Sequence, residues 1–367
     1  MSHIPVTRAP GLLPKLTSRA SGKVQTGGGD LYIYETLLTA SYAAVSTSAY
    51  EINLYERFST APARKLKHHT DQLTQIRVRE DSVLSSSIDG QIAVWDIRQS
   101  ANQPSLVLKS DDPILSFDIS ADKTAVIGGT QLNSEYAAKI LMWDMRMAGA
   151  LARVFEDSHS DDVTQIHCNQ NSSSQILSGS TDGLLCTFDL SQPDEDEALQ
   201  FVANTGASVA ECGYFGPSSQ FIFAHSDMET LQLWTNEATR LADFGDVREL
   251  GQSDMAIDYI AKCEYDTETQ RLYMIAGTNE GSLHIMHVGV ESMEYIQTLN
   301  GGHGDIVRGF DWKLSEGYAI SGCEGGRITW WSTEDQIQQP VSAIPAATTA
   351  SGSKRVTGAN GRRFAPY

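Results

Sequence analysis

Apolar and polar positions alternate along this chain in short bursts at the period of a β-strand. Leu73, Ile76 and Val78 make one burst, Val83 and Leu84 a second, and Ile92, Val94 and Trp95 a third; Asp89-Gly90, between the last two, is a tight-hairpin signal. The stretch therefore predicts an inner strand, a middle strand and a third strand in antiparallel succession. The same unit recurs downstream: apolar alternation, a small-residue segment, a turn with an acidic residue, then glycine and a strand closed by an aromatic. Its clearest copies are SVLSSSIDGQIAVWDIR (82–98), QILSGSTDGLLCTFDLS (175–191) and YAISGCEGGRITWWS (318–332).

Aligning the residue that closes the third strand gives Tyr55, Trp95, Trp143, Phe188, Trp234, Met286 and Trp331, at successive intervals of 40, 48, 45, 46, 52 and 45 residues. Seven units of this length, each with room for four strands, resemble WD repeats and imply an all-β, seven-bladed WD40 β-propeller. The expected organisation is a flexible basic N-terminal arm over 1–30, a propeller over 31–335 and a flexible basic tail over 336–367. Ring closure stays open at this point: residues 333–349 contain Pro340 and Pro345 and little strand pattern, so the outer strand of the last blade is sought in the segment before Leu31 or near it.

The repeat carries its own chemistry. His69, Ser85, Asp89 and Trp95 have the types and spacing of a buried hydrogen-bonded tetrad that fixes a blade. His159, Ser178 and Asp182 repeat it with Phe188, which lacks an indole N–H, so that network is one bond short. In the seventh unit His303 and Trp331 return, with Gly325 where the aspartate belongs and Glu324 beside it. The fifth unit places Asp227 one residue further from Trp234 than Asp89 lies from Trp95, which predicts a longer hairpin. In the third, the insertion QLNSEYAA (131–138) predicts a protruding loop.

Charge changes the picture. There are 27 Lys and Arg against 46 Asp and Glu, a net −19, yet residues 1–25 and 350–367 hold eight basic residues and no acid. Residues 26–349 thus carry 19 basic against 46 acidic residues, a body of −27 that repels nucleic acid and anionic membrane and attracts basic partners. DEDE (194–197), between the third and fourth strands of the fourth unit, and Glu156, Asp157, Asp161 and Asp162, before its first strand, are expected on opposite faces. Asp71 and Asp305 share the offset of Asp161 from their histidines, which would ring one face with acid.

Catalysis and cofactors find little support. The repeat positions of His69, His159 and His303 argue for structure, and His284 and His287, three apart on a strand, face opposite sides and cannot share a metal. The five cysteines form no C-x-x-C pair and read as buried, reduced thiols, no phosphate loop exists, and no cofactor is implied. With no apolar run of membrane length and no secretory h-region, the expected compartment is intracellular, cytoplasm or nucleus. The acid-free first 25 residues share that feature with organelle transit peptides, but Pro5, Pro10 and Pro14 would interrupt the amphipathic helix such a peptide needs.

The leading functional expectation is an acidic, monomeric scaffold or escort for a basic protein segment, such as a ribosomal protein or a histone tail. Its candidate contacts are Gln75, Gln165 and Arg308, early in inner strands near the channel mouth, with Asp161, Asp162 and Arg248; the two arginines could equally pair with local acids. A second expectation comes from VLSSSIDGQIAVWDIR (83–98), which resembles the box by which WD proteins dock as substrate receptors onto a cullin-RING ubiquitin-ligase adaptor, here through Asp96 and Arg98. An enzyme with its site in the propeller channel is the third.

Several stretches together resemble the WD repeat-containing protein 89 family: HSDDVTQ (159–165) with SGSTDGLLCTFDL (178–190), DVRE (246–249), AIDYI (256–260), AGTNEGSLHIM (276–286) and GGHGDIVRGFDW (301–312). The resemblance covers the last four units well and the first three more loosely. It implies a seven-bladed intracellular propeller without known catalysis and supplies no mechanism.

Overall fold

The small-residue segments of the repeat are where neighbouring blades press together. A Cβ on Gly129 would lie 2.5 Å from Val163, and one on Gly322 would lie 2.5 Å from Ile33, each contact reaching from one blade's second strand to the start of the next blade. Ser85, Ser86 and Ser87 are likewise fully buried. The computed structural model describes residues 5–24, 31–100, 102–253 and 255–333. Within them the chain forms seven sheets, each meandering outwards from an inner strand through antiparallel neighbours. The inner strands are Ile33–Leu38, Leu73–Arg79, Ile114–Ile119, Gln165–Cys168, Val209–Phe215, Tyr259–Asp266 and Val307–Lys313. The seven aligned third-strand residues all lie in third strands, and all are buried between sheets.

Closure comes from the N-terminus. Thr17–Lys23 pairs antiparallel with Arg327–Ser332, Ser18 opposite Trp331 and Lys23 opposite Arg327, and so supplies the outer strand of blade seven. Upstream, Val6–Arg8 adds a parallel fifth strand to blade six, against Met293–Tyr295. Between them Leu13 and Leu16 sink into a core with Tyr273, Trp312 and Trp331, and Gln297 clasps the strap, accepting from Leu16 N at 2.9 Å and donating to Pro14 O at 3.1 Å. The closing strand sought before Leu31 is thus Thr17–Lys23, and residues 5–24 belong to the ring instead of forming a flexible arm. Residues 25–30 and the expected tail over 336–367 lie outside the described residues.

One loop expectation changes, and a second is met. The blade-five hairpin spans Asp227–Glu229, the same three residues as Ile88–Gly90 in blade two, so it is not longer; Asp227 stands one place earlier and exposed Met228 takes the position of Asp89. In blade three the inserted loop holds Tyr136 out at 86% exposure, braced by Asn133 Oδ1, which accepts from Glu135 N and Ala137 N.

Candidate functional site: the faces and channel of the ring

Inner strands start, and outer strands end, on one face of the ring, which also carries the second-to-third-strand turns. In blade two that end is locked by the full tetrad. His69 Nδ1 lies 3.1 Å from Asp89 Oδ2, its Nε2 lies 2.9 Å from Ser85 Oγ, and Trp95 Nε1 donates to the same hydroxyl at 3.2 Å. Blade four repeats the first two contacts, His159 to Asp182 at 3.1 Å and to Ser178 at 2.6 Å, with Phe188 stacked on Phe155 instead of donating. Blade seven keeps His303 to Ser321 at 2.6 Å and Trp331 to Ser321 at 2.8 Å. There the Nδ1 of His303 has no partner, because Gly325 offers no carboxylate.

A second repeated device lies on the channel wall. Glu35 Oε2 of blade one accepts from Ile76 N of blade two at 2.6 Å, and Gln75 Oε1 of blade two accepts from Phe117 N of blade three at 2.8 Å. Asp118 then accepts from Cys168 N, Gln165 donates to Ala210 O, and Glu211 accepts from Cys263 N. Lys262 donates to Phe310 O, and Asp311 accepts from Leu38 N at 2.6 Å. All seven seams are thus bridged by an inner-strand side chain. Sequence reasoning missed this ring, because its members differ in type and in position along the inner strand and three of them, Glu35, Gln75 and Gln165, stand beside a threonine. Two of its members, Gln75 and Gln165, are the glutamines expected as partner contacts. Gln75 is buried, and both amides are engaged by the neighbouring blade.

The channel has a volume of about 940 Å³ and is lined by Glu35, Asp118, Glu211, Glu264 and Asp311, with Arg77, Arg79, Lys262 and Arg308 as counter-charges. Five carboxylates against four cations leave it nearly neutral. Arg79 pairs with Asp118 at 2.8 Å, and Lys262 with Glu264 at 3.1 Å and Asp311 at 3.9 Å. Burial pushes the carboxyls of Glu35, Glu211 and Asp311 up, and that of Glu264 to about 7. For Lys262 burial acts against the charge, but Glu264 and Asp311 outweigh it and hold the ammonium well above its ordinary value. Perturbed carboxylates therefore do cluster here, as an enzyme would require, yet three of the four hold a seam together. Among the described residues no group of three or more His, Cys, Asp or Glu side chains is arranged to hold a metal ion. All five cysteines are free and buried, and burial raises every thiol.

The charge of the faces is unequal. Among the described residues, the outer-to-inner and second-to-third-strand connections carry 17 acidic and two basic residues, a net −15. The connections of the opposite face carry 11 acidic and four basic residues, a net −7. Asp71, Asp161 and Asp305 take one pose on the more acidic face, each Oδ1 accepting from the next backbone N–H at 2.8–2.9 Å. Asp162 caps the inserted loop of blade three through Leu132 N at 2.7 Å. Arg248 is held by Asp246 at 2.6 Å and Arg308 by Glu324 at 2.7 Å; each remains about half exposed.

The expected separation of DEDE from Glu156 and Asp157 is corrected in part. Asp194 caps the turn Glu195–Ala198, Ala198 packs into the core beside Phe155 and Phe188, and Glu195 accepts from Glu156 N, Asp157 N and the Ser158 hydroxyl. The segment stays in a connection of the opposite face, but Glu195 ties it to the backbone that leads into blade four.

On the opposite face Arg98 forms a two-point pair with Asp96, at 3.0 and 2.9 Å, with its side chain 70% exposed. Arg146 and Asp144 repeat that pair in blade three, so the geometry follows from the repeat and does not single out Arg98.

Comparison with known proteins finds 26% identity over 317 residues to the WD repeat-containing protein 89 homolog of Dictyostelium discoideum, covering 85% of each chain. The WD repeat-containing protein GTS1 of Arabidopsis thaliana is 28% identical over 340 residues, 86% of this chain and 85% of the relative. An uncharacterized WD repeat-containing protein of Saccharomyces cerevisiae is 34% identical over 181 residues, 48% of this chain and 45% of its own. No family profile matches the chain.

Proposed function

The chain is a seven-bladed WD-repeat β-propeller, and on that premise we propose that it is a non-enzymatic protein-interaction scaffold whose more acidic face takes a basic segment of a protein partner. One observation carries the reading: the −15 of that face against −7 opposite, with the channel between them nearly neutral. Charge gathered on one face steers a basic partner to that face, and its contribution falls as salt shortens the screening length. Asp161, Asp162 and the ring of Asp71 and Asp305 would meet the partner's cations. Arg248 and Arg308, already paired, would set register rather than affinity. The neutral, self-satisfied channel supports a structural role for its carboxylates over a catalytic one.

Affinity purification of the tagged protein at low and at high salt tests this. The expected result is recovery of basic proteins at low salt and their loss at high salt; a partner set without basic proteins at low salt overturns the reading. A second function, ligase-adaptor docking, would use Arg98, whose exposed side chain lies on the other face, where it would not compete. Arg98→Ala is expected to abolish adaptor recovery, and unchanged recovery would end that proposal.

A further inference from the structure

Five residues before the residue that closes each third strand, six of the seven blades place a backbone with positive φ. Four of them use glycine there: Gly90, Gly183, Gly281 and Gly326, with φ between 70° and 87°. Only glycine adopts this region without a Cβ penalty, so any other residue needs a reason. Blade five has Glu229, φ 59°, and the reason is visible: its Oε2 accepts from Ile260 N at 2.7 Å and ties blade five to blade six. Blade one has Tyr50, also at φ 59°. Its phenol hydrogen-bonds to nothing among the described residues, and the side chain is 37% exposed.

Tyr50 does not stand alone. Tyr32 is 47% exposed and is held beside the same turn: its N–H donates to Ser48 Oγ at 3.0 Å, and its carbonyl accepts from Ser48 N at 2.9 Å. Tyr34, two residues on, is the extra residue of a β-bulge between Ile33 and Glu35, and it lines the channel. Burial first, then the phenols of Tyr50 and Tyr32, push the Tyr34 hydroxyl up. The connections that carry Tyr32 and Tyr50, residues 24, 31–32 and 48–50, hold no charged residue among those described. Blade two flanks them with Asp71 and blade seven with Asp305 and Glu324.

We infer that Tyr32, Tyr34 and Tyr50 form an aromatic anchor at the blade-one rim of the channel mouth, which receives an arginine or lysine side chain of the basic segment. The inference rests on the basic-partner reading above and names the place where it acts. Two exposed rings, Tyr32 and Tyr50, above half-buried Tyr34 and flanked by Asp71, Asp305 and the Arg308–Glu324 pair have the layout of an interface hot spot, apolar at the centre and polar around it. Ring faces attract a cation, and the surrounding acid favours that cation over an apolar or anionic side chain. The strained backbone of Tyr50 is then the cost of presenting a ring where four of the other blades turn on glycine.

The test uses the full chain and two fluorescent twelve-residue peptides, alternating Arg-Gly and alternating Glu-Gly, titrated at 50 and 300 mM salt. Tyr50→Gly restores the residue this backbone prefers, so its melting temperature is expected to equal or exceed that of the parent. Its affinity for the Arg-Gly peptide is expected to fall about three- to tenfold at both salts, the size of a cation–aromatic contact. Tyr32→Ser is expected to fall likewise. Parent-like affinity in both variants overturns the anchor while leaving the basic-partner reading intact. Failure of the parent to prefer Arg-Gly over Glu-Gly at low salt, together with a pull-down lacking basic proteins, overturns that reading itself.

Discussion

The Nδ1 of His303 is buried without a hydrogen-bond partner, and the turn position that supplies its partner in blades two and four is occupied by Gly325. Gly325 is not among the glycines with positive φ, so its backbone admits a side chain. A Cβ there would lie 3.2 Å from Asp305 Oδ2, a tight contact to which the Asp305 carboxylate must yield by a few tenths of an ångström. Gly325→Asp is therefore expected to stabilise the protein by about 1 kcal/mol at pH 7, the net worth of satisfying a buried donor or acceptor. Thermal unfolding beside Gly325→Ala checks it: the aspartate must exceed the alanine, or the orphan nitrogen costs nothing.

The same histidine sets a pH dependence. Burial lowers His303 to about 4, with the charge of Arg327 adding to it. A folded value below the ordinary 6.5 means that stability is fully present above pH 6.5 and is lost as pH falls towards 4. Glu264, raised to about 7, works in the opposite direction: its burial cost is full above pH 7 and is relieved as pH falls towards 4.5. His303→Gln isolates the first effect. Its deficit in melting temperature against the parent is expected to be greatest at pH 7.5 and to shrink by pH 5; a constant deficit would rule out titration of His303 in this window.

The tetrad serine should matter in proportion to what it holds. Ser85 Oγ serves both His69 and Trp95, whereas Ser178 Oγ serves His159 alone, because Phe188 has nothing to donate. Ser85→Ala leaves two buried groups unpaired, and Ser178→Ala leaves one. The expected costs are about 2–4 and about 1–2 kcal/mol respectively, read from denaturant midpoints at constant slope. Equal costs would mean that the indole contributes nothing to the network.

Most of the ring was legible because its signal is local. Third-strand closing residues such as Trp95, Trp234 and Trp331 are large and buried, and they recur near a fixed interval, which few architectures other than stacked four-stranded sheets produce. Closure was harder to read because Thr17–Lys23, TSRASGK, is an outer strand with no buried residue and hence little reason for apolar alternation. The seam ring escaped notice for the opposite reason. Glu35, Asp118 and Glu211 look like solvated charges in a one-dimensional string, and only the bulged inner strands reveal that each carboxylate caps the next blade's backbone. Tyr50 could have been found, since it stands in register with four glycines; the alignment was anchored five residues further on, at the aromatic that closes the strand.

The strap makes the last expectation sharp. The N-terminal segment spans two blades in chain order: Val6–Arg8 adds to the edge of blade six, Leu13 and Leu16 fill the seam, and Thr17–Lys23 completes blade seven. Removing residues 1–9 takes the parallel pairing with Met293–Tyr295, the Val6 packing and the Arg8–Tyr295 contact but no outer strand of the last blade, so unfolding should stay cooperative with a loss of about 1–3 kcal/mol. Removing residues 1–24 strips the outer strand from Arg327–Ser332, uncovers Trp331 and opens an edge, so the protein is expected to lose its cooperative melt and to self-associate. Between these extremes, Leu16→Ala, which leaves the backbone pairing in place, is expected to cost about 2–4 kcal/mol as a buried large-to-small change. A synthetic peptide of residues 1–24 added to the longer truncation should restore part of the melt by strand addition, because the acceptor edge is otherwise complete. A longer truncation that melts like the full chain would show that the ring closes without its N-terminal strand.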